Sequence, residues 1–228
     1  MSRSIFSPAL FTFLSELRAN NDREWFKANR SRYERELLEP ALEFIEAFAP
    51  HLSRISPNFV ASTSRTGGSL FRIHRDIRFS KDKSPYKTYL GIRFPHKEAK
   101  NVHTPGFYLH IEPRECFMGA GIWHPDSTTL TKIRGAIVSD PGKWKRVTQA
   151  KKFSDVYRLS GDSLTRAPTG YDKDHPFVED LKRKDFIGIT SVPQRAITSD
   201  SVLGTVAGMC RSADGFVQYL CNAVGVPF

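Results

Sequence analysis

Cysteine is scarce in this sequence. Only Cys116, Cys210 and Cys221 occur in 228 residues, an odd number with no Cys-x-x-Cys pair. That argues against a disulfide framework or a structural zinc site and points to buried free thiols in a reducing, cytoplasmic compartment. Long apolar runs are also missing. No stretch approaches the roughly 20 consecutive apolar residues that span a bilayer. The segment from Met1 to Ser15 lacks a basic leader, a continuous apolar run and a small-residue cleavage site, so it does not read as a signal peptide, and no membrane partner is expected.

Several chemical motifs are absent as well. Nothing reads Gly-x-Ser-x-Gly, and no cysteine has a nearby His with an obvious role. Gly67-Gly68 stands before a predicted strand rather than a helix, so it reads as a turn and not as a phosphate loop. No His-Glu-x-x-His spacing occurs. Five of the seven histidines (His74, His96, His103, His110, His124) do fall in the sheet region, which keeps metal binding open. No metal and no cofactor is expected. Without an internal repeat or a low-complexity linker, one domain is the simplest organisation.

The material for that domain is present. The sequence is 39% hydrophobic and carries 17 Phe, enough for a sizeable core and unlike a disordered chain. Phe6-Ser7-Pro8 predicts a helix start, with Ser as cap, Pro in the first turn and Phe6 as a staple. Leu10, Phe13, Leu14 and Leu17 follow at helical spacing. Asn20-Asn21-Asp22 re-caps the chain for a second helix along Trp25, Phe26, Asn29, Tyr33 and Leu37. Pro40 kinks or restarts that helix, and Leu42, Ile45, Phe48 and Leu52 continue its stripe. The period then falls to two. Leu70–Phe79, Tyr86–Phe94, Gly106–Glu112 and Phe117–Trp123 read as four strands of an antiparallel meander. Helical spacing returns at Leu130, Ile133 and Ile137. Thr165 to Pro176 reads as a loop, Phe186–Ile189 as a possible edge strand, and Ser201–Leu220 as a helix weakened by Gly204, Gly208 and Gly215. The fold expected is α+β: a central, mainly antiparallel sheet flanked by N-terminal and C-terminal helices. Residues 1–57 form the helical part, 66–124 the sheet, and 125–228 the closing helices, loop and edge strand.

The charge is unevenly placed. Residues 51–100 hold 11 Lys and Arg against 3 Asp and Glu, whereas residues 1–50 hold 7 against 8. The net charge of +10 is therefore mostly local, and an anionic partner at that segment is plausible. Its centre runs from Arg72 to Lys87. Strand alternation sends Arg72, His74, Asp76 and Arg78 to one side and leaves Arg75 among Phe71, Ile73, Ile77 and Phe79. A guanidinium there needs a carboxylate or several carbonyls. Asp76 and Asp82 can satisfy only part of the six basic side chains in the segment. A small phosphorylated or carboxylated ligand is the reading this favours. Arg72, Arg75 and Arg78 would grip the anion, Lys83 and Lys87 would add charge, Tyr86 would orient it, and Asp76 would position the arginines or act as a base. Internal pairing that merely fixes the hairpin is the bland alternative.

Two other functions stay open at this point. An enzyme would draw acid/base groups from Asp76, His74, His110 and Glu112, with Arg78 or Lys83 stabilising negative charge. A nucleic-acid binder would use the basic hairpin with Tyr89 and Tyr108 as stacking groups, although no known DNA- or RNA-binding signature is present.

The pattern Arg72-x-x-Arg75-Asp76-x-Arg78-Phe79-x-x-Asp82-Lys83-x-x-Tyr86 closely resembles the signature of a bacterial and fungal family catalogued as domain of unknown function 2461. Asn20-Asn21 with Glu24-Trp25-Phe26, Pro105-Gly106-Phe107-Tyr108 before His110, and His175-Pro176 ahead of Leu181-Lys182 are similar to that family too. The resemblance implies that the motif is a unit. It implies no particular activity or catalytic residue, so only the motif positions carry over.

Overall fold

The structure, a computed structural model, describes residues 4–99 and 104–228. His103 lies outside them. The chain opens with helix α1 (Ala9–Ala19), which buries Leu10, Phe13, Leu14 and Leu17. Phe6 is fully buried before it, and its ring lies 5.4 Å from that of Phe44. Ser7 contributes its carbonyl, which accepts from Leu10 N at 3.1 Å. Asp22 then caps α2 (Arg23–Ala28), its carboxylate accepting from the backbone of Glu24 and Trp25.

Helix α3 (Arg30–Tyr33) runs through a π turn, Glu34–Leu38, into α4 (Glu39–Ile55). Pro40 sits in the first turn of α4. A proline there lacks the N–H of a regular helical bond, and a wider turn just upstream accommodates that loss. The expected kink is thus a local change of helical pitch.

The sheet has five antiparallel strands in the order β1-β2-β3-β5-β4. They are β1 (Leu90–Pro95), β2 (Gly106–Ile111), β3 (Phe117–Ile122), β4 (Arg158–Ser160) and β5 (Phe186–Ser191). Helices α10 (Val202–Ser212) and α11 (Asp214–Val224) pack on β3, while Phe48 of α4 lies 4.8 Å from Phe94 of β1. Helix α5 (Ser127–Ser139) adds Ile133 and Ile137 to the core, α6 (Pro141–Gln149) adds Trp144, and the short helices α7 (Lys151–Ser154), α8 (Val178–Leu181) and α9 (Gln194–Ile197) add Phe153, Leu181 and Ile197. The covered face holds Leu90, Ile92 and Phe94, then Phe107, Leu109 and Ile111, then Met118, Ala120 and Ile122, all buried. The expected α+β domain with helices at both ends is what forms.

Several elements differ from expectation: β1 starts at Leu90 rather than Tyr86, and Ser201–Leu220 forms two helices. Leu70–Phe79 is not a regular strand. It touches the sheet through one isolated bridge, Leu70 to Ile92, pairs at His74 with Tyr86 ahead of β1, and then continues as a loop. Arg75 N to Pro85 O, at 2.9 Å, closes the neck of that loop. Inward-outward alternation runs on through Ile77 and fails at Phe79, which is 94% exposed rather than packed. Phe186–Ser191, in turn, is an interior strand and not an edge. The short β4 covers it, a pairing that three residues of sequence are too few to announce.

Glycine is required at one pairing. Gly121 has φ +125°, and a side chain there would collide with the Phe186 carbonyl of the neighbouring strand.

Candidate functional site

The uncovered side of the sheet ends, near the start of β1 and the end of β2, in a cleft of about 680 Å³. That size suits a small molecule. Its walls come from three places. Arg18 and Asn21 reach in from the corner between α1 and α2. Arg75, Asp76, Asp82, Ser84, Tyr86 and Lys87 come from the motif. Thr88, Tyr89 and Glu112 supply the sheet end.

Asn21 joins the first two groups. Its amide donates to Tyr86 O at 2.9 Å and accepts from Tyr86 N at 3.0 Å, so one side chain pairs with the backbone as a neighbouring strand would. The Tyr86 ring stacks on Phe26 with 4.0 Å between centroids. Tyr86 is buried, and it anchors the motif to the helices.

A hydrogen-bonded chain lies behind the sheet end. His110 Nε2 donates to Glu112 Oε2 at 3.1 Å, which leaves Nδ1 to accept from the Tyr108 hydroxyl at 2.9 Å. Thr88 donates to Glu112 Oε1 at 3.1 Å, and Arg18 ion-pairs with that same oxygen. Gly91 makes room for this arrangement, because a side chain there would press on the Tyr108 hydroxyl. Burial, with Tyr89 and Glu112 nearby, pushes the Tyr108 phenol well above its usual range. The His110 ring is sandwiched between Tyr89, 4.5 Å away, and Phe117, 4.6 Å away.

The motif carboxylates are committed. Asp82 accepts from Ser84 N at 2.9 Å and Ser84 Oγ at 2.6 Å, and it pairs with Arg75. Asp76 takes a two-pronged bond from Arg78, at 2.9 and 2.7 Å. Hydrogen bonds from Arg78, joined by the charge of Arg72, hold the Asp76 carboxyl down at about 2. Ser84 and Arg75 likewise hold Asp82 below the ordinary carboxylate range. Lys83 donates to Ile77 O at 3.0 Å. The loop from Arg75 to Pro85 therefore bonds mainly to itself.

Lys87 is different. Its Nζ donates to Arg72 O at 2.7 Å and lies 5.4 Å from the centre of the Phe71 ring. Burial, then the positive charge of Arg72, draws its ammonium below the usual lysine value. Among the described residues, no carboxylate pairs with Lys87 or with Arg72. Cations and carboxylates on the cleft walls are equal in number, but Asp76 is held by Arg78, which is not a wall residue. Lys87 is the wall cation left over.

Of the six expected ligand contacts, Arg75, Tyr86 and Lys87 line the cleft, while Arg72, Arg78 and Lys83 do not. Of the acid/base candidates, Asp76 and Glu112 line it and His110 stands behind Glu112. Tyr89 lines the cleft, and Tyr108 packs beneath with its hydroxyl engaged. Arg18, Ser84 and Thr88 were not singled out from the sequence. Nothing local marks them, since only the tertiary fold brings a helix end, a turn and a strand start together. The other histidines disperse. His74 lies beside Phe26 and Tyr86, His96 bonds Pro227 O at 2.7 Å, and His124 bonds buried Asp185 at 2.9 Å. No group of three metal-ligating side chains occurs among the described residues, and none of their helices is long and apolar enough to cross a membrane.

Fold and cleft together define the class: a single α+β domain whose open antiparallel sheet carries a charged pocket at one end. Within that class the chain belongs to the family described as conserved hypothetical protein DUF2461, whose pattern matches residues 9–219. No curated protein and no solved structure matches it.

Proposed function

We propose that the cleft binds a small molecule through an anionic group, phosphate or carboxylate, held at Lys87 and Arg72 with Arg75 beside them. One observation carries this reading: Lys87, half-buried in the cleft wall, has no ion-paired carboxylate among the described residues, and Arg72 stands near it as a second positive charge. Holding like charges together in a partly desolvated place is costly unless something neutralises them. An incoming anion removes that cost. Arg78 and Lys83 are occupied within their loop, so they would act on the ligand only after giving up those bonds. A cytoplasmic setting accords with three cysteines that are all buried and free.

The test is a titration of the labelled protein with inorganic phosphate, followed by amide chemical shifts. Saturable shifts centred on Arg72, Arg75 and Lys87 are expected. Arg72→Gln should weaken the affinity about tenfold, the loss of one charge-assisted contact worth roughly 1.4 kcal/mol. Shifts that never saturate, or that scatter over Lys81, Lys83 and other exposed basic residues, would rule the reading out.

Nucleic-acid binding would show itself in the same series as tight, salt-sensitive binding of a single-stranded polyanion, lost when Lys81, Lys83 and Lys87 become Glu. The packing of Tyr108 weighs against it, because that ring already lies over Gly91 with its hydroxyl engaged. Acid/base catalysis by Asp76 fits poorly with a carboxylate held that firmly by Arg78.

A further inference from the structure

The face of β1 that the helices leave uncovered carries a further cation, beyond the cleft wall. Positions 91 and 93 lie on that face, opposite buried Leu90, Ile92 and Phe94, and Tyr89 of the cleft wall stands just before them. The Phe71 ring packs over Gly91, where a Cβ would meet its Cδ2 at 3.0 Å. The ring therefore divides the cleft end of the strand from Arg93. Two cations share it: Lys87 Nζ lies 5.4 Å from its centre and the Arg93 guanidinium carbon 5.6 Å. Aromatic contact stabilises each of them, while their like charges repel. Lys87 has one backbone carbonyl as a hydrogen-bond partner. Arg93 has less. Its side chain forms no ion pair or hydrogen bond among the described residues, and its Nε is buried without a partner. A buried donor left unpaired is costly, and native folds rarely keep one without a reason.

We propose that the cleft takes a small dianion, two acidic groups joined by a short carbon chain, with one group at Lys87 and the other at Arg93. The inference rests on the anion-binding reading for the Lys87 end and adds the class of ligand. A second anionic group meets the guanidinium, whose flat fork suits a carboxylate, and gives its unpaired N–H an acceptor. The middle of the ligand crosses Phe71, a part-exposed apolar ring, so it is carbon rather than a run of polar groups. Because both cations lie within 5.6 Å of one ring centre, only a short chain spans them. Joining the two contacts in one molecule makes the second intramolecular, so the affinity exceeds that of either group alone.

The experiment titrates the labelled full chain with straight-chain dicarboxylates from succinate to suberate, each beside the monocarboxylate of equal carbon number, and with inorganic phosphate. The affinity gain of dicarboxylate over monocarboxylate should peak within the series and reach about tenfold. At that length the Arg93 Nε–H resonance should shift with the dicarboxylate and stay in place with the monocarboxylate. Arg93→Gln should remove most of the gain, whereas Arg93→Lys, which keeps the charge, should retain most of it. If Arg93→Gln does not fold, the Nε–H resonance of the parent protein decides. Phosphate and monocarboxylates that saturate at Lys87 with no dicarboxylate gain, or a gain that survives Arg93→Gln, overturn the dianion and leave the anion site standing. Failure of phosphate and of every carboxylate to saturate defeats both readings.

Discussion

Asn21 does the most structural work for its size. Its amide makes two bonds to the Tyr86 peptide, each worth about 1 kcal/mol net. Asn21→Ala should therefore lower stability by roughly 2 kcal/mol in urea unfolding, and the motif amides should exchange faster with solvent. Asp76 gives a prediction about pH. Its folded pKa, about 2, lies below the ordinary carboxylate value. Its contribution is thus present above pH 4 and is lost as pH falls towards 2. Carboxyl carbon shifts should show Asp76 still ionised at pH 3. A midpoint near 4 would mean that the Arg78 pair does not form in solution. Arg75 was legible at this scale, because a guanidinium on an inward position demands a carboxylate, and Asp82 supplies it. Phe79 was not, since alternation cannot reveal where a strand lets go of its neighbour. Arg18 was hidden for a different reason: its partner Glu112 is 94 positions away.

At the level of elements, the α1–α2 corner meets the motif loop and the β1–β2 end through the Asn21 amide and the Arg18–Glu112 pair, and the motif is tied to β1 by the Phe71 N to Gly91 O bond. Two glycine substitutions probe this framework in opposite directions. Gly121→Ala should break the β3–β5 pairing through its clash with the Phe186 carbonyl and leave little folded protein in a thermal melt. Gly135→Ala, in α5 with nothing near its Cβ, should stabilise by up to about 1 kcal/mol. Period and composition disclosed the three long consecutive strands and most helices, because those depend on local alternation. The order of β5 and β4 was beyond the sequence, as it depends on a pairing across 25 intervening residues. Ser201–Leu220 split into α10 and α11 near Ala213, and its glycines, though noticed, do not mark the break.

For the molecule as a whole, the local excess of basic residues overstates the positive charge left uncompensated there. Arg75 and Arg78 are neutralised within the loop, and Lys83 is bonded to its own backbone. Lys81 and Arg93 form no ion pair either, but on the cleft wall, which carries equal numbers of charges, Lys87 is the cation left over, with Arg72 as a neighbouring charge. The most direct measurement is the thermal stability of Lys87→Met with and without phosphate. The account predicts that the variant is as stable as the parent or more so in the absence of ligand, because like-charge crowding is relieved. It also predicts that phosphate, which at 100 times its Kd should stabilise the parent by about 2.7 kcal/mol, no longer stabilises the variant. A variant that loses more than about 2 kcal/mol without ligand, yet keeps the full phosphate effect, would contradict it.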